Sequence, residues 1–488
     1  MSRCGKLDID SFNKRLISQL DILHQVLNTS GFGEGELSLG AELETNIVNR
    51  DGIAQYLNHE LLDSCQDPRL TLELNRYNLE LNLTPVPASG TPFTSIGNEI
   101  LSILKAVNQA AQKNSAELVA IGILPTLRQQ DLCKSVVSDN YRYKFFASEL
   151  SARRGSQFKL QIDGENPFAV ETDTIAYEGA GTSLQLHLRV SPARFANVYN
   201  AVQLVSPAVL AYAANSPCLL GHFLWDETRI ALFKQSTDTR VHQHQWREPP
   251  RVNYGSGWNR HGLHELFAEN VSLYSPLFTQ GFAQDAAAVW AKGQPPRFDE
   301  LMLHQGTVWS WNRGIYDYHN NGHVRIEART LPAGPTVADM MANSAVLTGL
   351  AYGLEDNIEQ LIARLPFKHA KYNFYRAAQS GIDAKLIWPD PKNNRLIETS
   401  PAYILSRLMP YAKLGLQKIG LNEVEISSHL NLFQQRIEAN TSGARWQRQM
   451  TAEYEKSETR HDALHLMFAK YRLFQDNNIA VSDWDLNK

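Results

Sequence analysis

The sequence predicts an α+β fold built on a curved, mostly antiparallel sheet with a polar concave face and helices on its outer face. Two observations indicate the sheet: short strands that alternate apolar with charged side chains, and two such strands close enough to form a hairpin. A third is the helical pattern that dominates the C-terminal portion. Strands joined by hairpins and mixed with helices are typical of α+β folds rather than of doubly wound sheets.

The first predicted elements are a helix over residues 8–28 and a strand that contains GAELE. Apolar residues recur at helical spacing in the first segment, which ends at Ser30-Gly31. In a strand, alternate side chains point to opposite faces. Glu42 and Glu44 therefore share one face, with Leu43 on the other.

A pair of strands is predicted in LTLELNRYNLELNLTPVP, residues 70–87. The phase of the apolar alternation flips inside this segment, which requires a turn or a bulge. A two-residue turn at Arg76-Tyr77 would place Glu73 directly across from Glu80, although Arg-Tyr is not a favoured pair for such a turn.

Two later strands also have a polar face. In SLQLHLRV, residues 183–190, Gln185 and His187 point away from three leucines. In HVRIEAR, residues 323–329, Glu327 lies between Arg325 and Arg329 on one face, against Val324 and Ile326 on the other. Neither polar face suits an apolar core, so both strands are expected to line a hydrated concave surface.

The remaining elements are mainly helical. We predict a long helix over 92–117, a buried strand ELVAIGILP after it, a helix over 192–215, and helices that include 339–354, 356–365 and 445–473. The expected organisation is a first domain over 1–345 and a mainly helical region over 346–488, which can pack on the same domain.

Five glutamates in strand-like surroundings call for a common explanation, because Glu is depleted in strands and like charges across a strand pair are destabilising. Taken singly, each could lie on a solvated outer face. Together they favour a site for divalent cations, since carboxylate oxygens hold Mg²⁺ or Mn²⁺ and one His can join them. The candidate metal ligands are Glu42, Glu44, Glu73, Glu80, Glu327 and His187.

Composition excludes several other classes of protein. The 488 residues have a net charge of −4, which gives no general attraction to nucleic acid or to anionic membranes. The four cysteines are scattered without a CxxC pair, as expected in a reducing compartment. The N-terminus has no signal-like apolar stretch, and no window is apolar enough to span a membrane. A cytoplasmic protein is the expectation, either monomeric or a homodimer.

Two histidine-rich segments could be mistaken for metal sites. HQHQW contains His242 and His244, and HGLHE contains His261 and His264. The second lacks the HExxH order of zinc proteases, and we expect both at the surface or behind a site. There is also no Walker A motif and no GxGxxG after a strand, so a nucleotide would be held through metals and arginines.

Six segments, taken in order, resemble the glutamate–cysteine ligase family, within the carboxylate–amine ligases of glutamine-synthetase-like fold. The six segments are GAELE, ELNRYNLELNLTP, TSLQLHLRV, AYAANSPCLLG, ETRIALFKQSTDTR and HQGTVWSWNRGIYDYHNNGHVRIEARTLPAGPT. Together they run from about Gly40 to about Asp339. The sequence departs from the family pattern at two positions: Pro332 stands where several relatives have Asp, and Phe233 stands where the family has Trp.

The resemblance implies an ATP-dependent ligase that makes a γ-glutamyl amide through an acyl phosphate. It implies one metal near the phosphates, held by Glu42, His187 and Glu327, and a second near the substrate carboxylate, held by the other three glutamates. The resemblance implies catalytic roles for Arg329 and Glu327. It also implies contacts with ATP for Arg329 and Arg325. Substrate contacts are implied for Arg229, Arg240, Gln185 and Arg313. Which arginine serves ATP and which serves the substrate is left open.

Two alternatives remain at this stage. A phosphotransferase of the guanidino-kinase type shares the broad fold, but it would release no inorganic phosphate. A non-catalytic nucleotide-binding relative would bind ATP without turnover. The small-molecule substrates expected for the leading interpretation are glutamate or a similar carboxylate, and an amine such as cysteine.

Overall fold

A computed structural model describes residues 3–240, 248–393 and 395–486, with the side chains of residues 3 and 4 left out. The strands within these ranges are β1 Arg3–Lys6, β2 Ser38–Asn49, β3 Leu70–Leu72, β4 Asn78–Asn82, β5 Val86–Pro87, β6 Ala116–Val119, β7 Phe158–Ile162, β8 Phe168–Thr172, β9 Leu184–Val190, β10 Cys218–Leu219, β11 His222–Phe223, β12 Val252–Asn253, β13 Gln280–Phe282, β14 Trp309–Ser310, β15 Asn312–Asp317, β16 His323–Ala328, β17 Leu386–Pro389 and β18 Leu396–Thr399.

The α-helices within the same ranges are α1 Ile9–Leu27, α2 Asn58–Cys65, α3 Pro92–Ala111, α4 Tyr141–Arg154, α5 Phe195–Ala213, α6 Thr228–Ser236, α7 Leu263–Leu273, α8 Ala286–Trp290, α9 Asp299–Gln305, α10 Val337–Leu354, α11 Ile358–Ile362, α12 Phe367–Ser380, α13 Pro401–Lys418, α14 Glu423–Glu438, α15 Gly443–Tyr454 and α16 Arg460–Asp476. None of them is long and apolar enough to cross a membrane.

The main sheet runs in the order β15-β16-β9-β2-β4-β3, and the short strands β5 and β6 also pair with β2. Every pairing in this sheet is antiparallel, as the alternating patterns predict. The long strand β2 occupies the centre, because it pairs with β9 along its first half and with β4 and β6 further on.

The two faces of the sheet differ as the sequence predicts. Leu43, Leu186 and Ile326 are almost completely buried on the apolar face, which packs against α3, α5 and α10. Helix α10 is buried nearly all round, which explains its continuous apolar composition. It packs closely on α13, where a Cβ at Gly353 would lie only 2.0 Å from the carbonyl oxygen of Tyr411.

The hairpin around residue 75 differs from the predicted one. Strand β3 pairs with β4 so that Thr71, and not Glu73, lies opposite Glu80. The connection is longer than two residues because the chain leaves the ladder after Leu72 and makes an isolated bridge from Asn75 to Val137.

Several helical boundaries also differ. The helix predicted over 92–117 ends at Ala111, because Ser115 has a positive φ of 53° and the following residues form β6. The segment 445–473 contains two helices, α15 and α16, rather than one. The small hairpin of β17 and β18 was not predicted.

The C-terminal helices pack against the part of the chain that carries the sheet. Arg436 on α14 forms a fully buried ion pair with Asp339 on α10, at 2.7 Å. The hydroxyl of Tyr471 on α16 donates to the carbonyl of Ala120, just after β6. The predicted boundary at 345/346 falls inside α10, and the division into two domains stays a prediction.

Candidate active site

The register of the strands brings five of the predicted ligands together on the polar face of the sheet. Glu327 on β16 lies opposite His187 on β9. On the other side of β9, Gln185 lies opposite Glu42 on β2. Two residues further along β2, Glu44 lies opposite Glu80 on β4. Residues from distant parts of the sequence therefore form one diagonal band across the sheet.

The first cluster consists of Glu42, His187 and Glu327, whose potential ligand atoms all lie within 4.8 Å of one another. Nε2 of His187 is 3.1 Å from Oε1 of Glu42 and 4.0 Å from Oε1 of Glu327. This buried nitrogen has no hydrogen-bond partner of suitable geometry. On the other side of the ring, Nε of Arg325 donates to Nδ1 at 3.2 Å.

Two guanidinium groups neutralise Glu327. Nε of Arg313 lies 2.8 Å from one carboxylate oxygen, and its Nη2 donates to the other at 2.9 Å. Nη1 of Arg329 approaches at 3.3 Å. Burial acts to raise the pKa of Glu327, but Arg313 and Arg329 outweigh it and hold that pKa well below its usual range. Glu327 is therefore ionised even though its side chain is only 3% exposed.

The second cluster consists of Glu44, Glu73 and Glu80, again with potential ligand atoms within 4.8 Å. Burial, partly offset by Arg329, raises the pKa of Glu44 to about 7. Burial and the neighbouring carboxyl groups raise the pKa of Glu73 well above its usual value, and that of Glu80 is raised as well. Carboxyl groups held this close repel one another once they ionise.

Gln185 joins the two clusters. Its Nε2 donates to Oε1 of Glu44 at 2.8 Å, and its Oε1 accepts from Nη1 of Arg329 at 2.5 Å. The backbone amide of Ser183 also donates to Glu44, at 2.7 Å. Gln185 was predicted to contact substrate; its observed contacts orient Glu44 and Arg329.

The other predicted arginines lie at different distances from the clusters. Arg229 is buried, pairs with Glu227 at 2.8 Å, and donates to the carbonyls of Arg329 and Thr330. Arg325 pairs with Asp317 at 3.0 Å in addition to its contact with His187. These two adjoin the predicted site.

Arg240 lies elsewhere. Its guanidinium forms a two-point ion pair with Asp238, and Tyr274 and Tyr375 are near enough to influence its pKa. It does not line the cavities next to the carboxylate clusters. Its predicted substrate contact is not supported by this placement and stays a prediction.

The histidine-rich segment that contains His261 and His264 does not join the clusters. His261 is exposed, and His264 packs edge-on against His24 with ring centroids 5.0 Å apart. Both line a surface groove away from the carboxylates. The other segment, with His242 and His244, lies outside the described residues.

Glu178 belongs to the site but was missed from the sequence. It lies in a short 3₁₀ turn and lines a cavity of about 20 Å³ with Glu44, Arg229 and Arg329. Burial and the charge of Glu44 raise the pKa of Glu178 to about 8. A single Glu in an irregular segment has no periodic neighbours, so no sequence pattern signals its position.

The residues present fit divalent cations. Each cluster offers three ligand groups, five of the six being carboxylates, and hard oxygen ligands suit Mg²⁺ or Mn²⁺. The unpartnered Nε2 of His187 faces the carboxylates of the first cluster. In the second cluster, burial and the neighbouring carboxyl groups raise the three pKa values, and a bound cation would stabilise the ionised carboxylates against both effects.

Part of the chain matches a known protein family. Residues 38–256 match the family described as Glutamate-cysteine ligase family 2. This segment belongs to that family. It holds Glu42, Glu44 and His187 together with the hairpin glutamates, whereas Glu327 and Arg329 follow it in the chain. The family resemblance inferred from the motifs is thus confirmed, and the match indicates a ligase-type enzyme. A comparison with curated proteins gives no match.

Two solved structures resemble the chain over most of its length. One is the glutamate–cysteine ligase of Francisella tularensis in complex with AMP, with a TM-score of 0.56 and 11% identity over 93% of this chain and 91% of that one. The other is a bifunctional glutathione synthetase from Pasteurella multocida, with a TM-score of 0.50 and 11% identity over 99% of this chain. This chain spans 56% of that longer protein. At such identities the likeness establishes the fold, and the predicted α+β fold is confirmed.

Proposed function

We propose that the protein is an ATP-dependent carboxylate–amine ligase that joins the γ-carboxyl of glutamate, or a similar carboxylate, to an amine. The observation that carries the proposal is the pairing of two three-ligand clusters on one sheet face. Gln185 links them by contacting both Glu44 and Arg329. Such a face can hold several cations beside an arginine, which is what phosphoryl transfer to a carboxylate requires.

The proposed reaction has two steps. A carboxylate oxygen attacks the γ-phosphorus of ATP, and the bond from that phosphorus to the β-γ bridging oxygen breaks to give an acyl phosphate and ADP. The amine nitrogen then attacks the acyl carbon and gives up a proton, while the carbon–oxygen bond to phosphate breaks. The products are the amide, ADP and inorganic phosphate.

The chain's own residues have distinct proposed tasks. Glu42, His187 and Glu327 would hold one cation, and Glu44, Glu73 and Glu80 another. Bound Mg²⁺ would neutralise phosphate charge and align the reacting groups. Arg329 lies beside both clusters, and in this proposal its guanidinium would stabilise the transferring phosphoryl group. Arg313 holds Glu327 ionised and oriented.

Arg229 acts more indirectly in this proposal. Its guanidinium is occupied by Glu227 and by the backbone carbonyls of Arg329 and Thr330. It also lies over the ring of Trp311, 5.1 Å from the centroid. These contacts support a positioning role for Arg229, which fixes the backbone directly after β16, where Arg329 lies.

The test is phosphate release with ATP, Mg²⁺ and glutamate, first with hydroxylamine and then with a panel of amines. Hydroxylamine converts an acyl phosphate to a hydroxamate, which forms a coloured complex with Fe³⁺, so activation of the carboxylate is detected before the natural amine is known. Hydroxamate that depends on ATP and glutamate supports the ligase. A phosphorylated acceptor without phosphate release would identify the phosphotransferase alternative, and ATP binding without turnover the non-catalytic one.

The proposal includes a cytoplasmic location, where ATP and reduced thiols are available, and small-molecule substrates without a nucleic-acid or membrane partner. The net charge of −4 is consistent with these choices.

A further inference from the structure

A large aromatic pocket adjoins the carboxylate clusters and has no part in the phosphoryl-transfer chemistry. Its volume is about 570 Å³, within the usual range of ligand sites. Helix α4, strand β13 and the segment after α9 supply most of its walls. Glu73 and Glu178 lie at one side, and Glu178 and Phe233 also line the small cavity that contains Arg329. The pocket is therefore contiguous with the reacting centre.

Aromatic side chains form a connected wall along this pocket. Phe145 stacks on Phe278 with ring centroids 5.1 Å apart. Phe146 meets Trp309 edge to face at 5.2 Å, and Trp309 in turn lies 6.0 Å from Phe233. Flat ring faces and edges of this kind accept another aromatic ring in stacked or T-shaped geometry.

The polar groups around the pocket suit a nitrogen-bearing ligand better than an anion. Among the described lining residues, the ionisable side chains are Glu73, Glu178 and the exposed Arg142. The arginines that suit phosphates, Arg313 and Arg329, instead surround Glu327. A triphosphate in the pocket would lack these arginines, whereas carboxyl oxygens can accept hydrogen bonds from an amine nitrogen.

We propose that this pocket binds the acceptor amine and that the amine carries an aromatic or similarly large apolar group, with its nitrogen directed toward Glu178 and the second cluster. This inference rests on the proposed ligase function and specifies its second substrate class. A side chain as short as that of cysteine would leave most of the 570 Å³ unfilled and the aromatic wall in water. Burying a ring against that wall favours binding, because it removes apolar surface from water.

The experiment compares amines that share a reactive nitrogen but differ in bulk: phenethylamine, tyramine, ethylamine and cysteine, each with ATP, Mg²⁺ and glutamate. The γ-glutamyl products are measured by mass spectrometry, and hydroxamate formation is measured in parallel. We expect kcat/KM for phenethylamine to exceed that for ethylamine by at least about 10-fold, because contacts of a larger group in an apolar pocket discriminate by about 10–200-fold.

Three variants locate the effect. Phe146→Ala removes part of the wall and should lower the phenethylamine-to-ethylamine ratio about 10-fold, while hydroxamate formation stays near wild type. Tyr141 lies at the rim and is 69% exposed, so Tyr141→Ala should change the stability of the fold little and should lower the ratio by about 3-fold. Tyr403→Ala is the matched control, because this exposed tyrosine on α13 lies outside the pocket and should change neither rate.

The outcomes separate the inference from the proposed function. Hydroxamate formation together with a preference for aromatic amines that Phe146→Ala or Tyr141→Ala weakens supports the inference. If hydroxamate forms but ethylamine or cysteine serves as well as phenethylamine, the inference is overturned and the ligase stands. If no hydroxamate forms, the proposed function fails and the inference fails with it.

Discussion

Glu44 and Glu327 are both buried glutamates of the site, yet replacing each by Gln should change stability in opposite directions when no metal is present. The pKa of Glu44 is raised from 4.5 to about 7, whereas Arg313 and Arg329 outweigh burial and lower that of Glu327. A shift of about 2.5 pKa units corresponds to about 3 kcal/mol. At pH 8 the ionised Glu44 therefore lowers the stability of the fold by about 3 kcal/mol.

Glu44→Gln should recover part of this amount, because its amide oxygen can still accept from the amide of Ser183, while its NH2 group would face Nε2 of Gln185. Unfolding of 488 residues carries an entropy of about 1 kcal/mol/K, from about 2.1 cal/mol/K per residue, so Tm should rise by up to about 3 °C. Glu327→Gln should instead destabilise the fold, because it leaves the largely buried guanidinium groups of Arg313 and Arg329 without their anionic partner, at up to about 3–5 kcal/mol.

The assay is thermal unfolding followed by circular dichroism in EDTA. Because the pKa of Glu44 is raised in the folded state, the destabilisation caused by its ionisation is absent below about pH 4.5 and develops as pH rises toward 7. The advantage of Glu44→Gln should therefore shrink to about 1 kcal/mol at pH 5. The stabilisation from Glu327 has the opposite sense, being present above the ordinary carboxyl pKa and lost in acid. Shifts of Tm in the same direction for both variants at pH 8 would refute this reasoning.

Four further predictions concern catalysis and metal binding. Glu327→Gln should lower phosphate release by at least about 100-fold, and near-normal turnover would remove Glu327 from the site. His187→Ala should lose activity while the protein stays folded. Leu186→Ala, at a residue that is 1% exposed, should lower the free energy of unfolding by about 2–5 kcal/mol, with normal kinetics for the folded fraction. The reverse result would mean that the assigned faces are exchanged. Chelation should abolish activity, with recovery by Mg²⁺ or Mn²⁺ but not by trace Zn²⁺. Mg²⁺ should raise Tm more at pH 8 than at pH 6, because at lower pH it must displace the proton of Glu44, and an equal rise at both pH values would contradict this.

Strand alternation was sufficient to predict the centre of the site. Glu42, Glu44, His187 and Glu327 each sit on a strand whose opposite face is apolar, and burying that face leaves one direction for the polar side chains. The sequence therefore specifies which residues face the site before the order of the strands is known.

Residues that reach the site from irregular segments could not be placed in this way. The turn that holds Glu73 is fixed by the Asn75–Val137 bridge and by the hydrogen bond from Ser138 to the carbonyl of Glu73. These contacts come from more than 60 residues further along the chain. The same limit applies to Glu178 and to the aromatic pocket, because their neighbours are set by tertiary packing and not by a local period.

The geometry of the central strand β2 sets the distance between the two cations that the site would hold. Glu42 supplies one cluster and Glu44 the other, and the two residues are separated by a single intervening leucine. A strand rises by about 3.3 Å per residue, so their Cα atoms are spaced by about 6.6 Å through covalent geometry alone. Loop insertions elsewhere can reshape the substrate pockets while this interval stays constant. Substrate specificity can therefore change among proteins of this fold while the distance between the two clusters, on which the chemistry depends, stays the same.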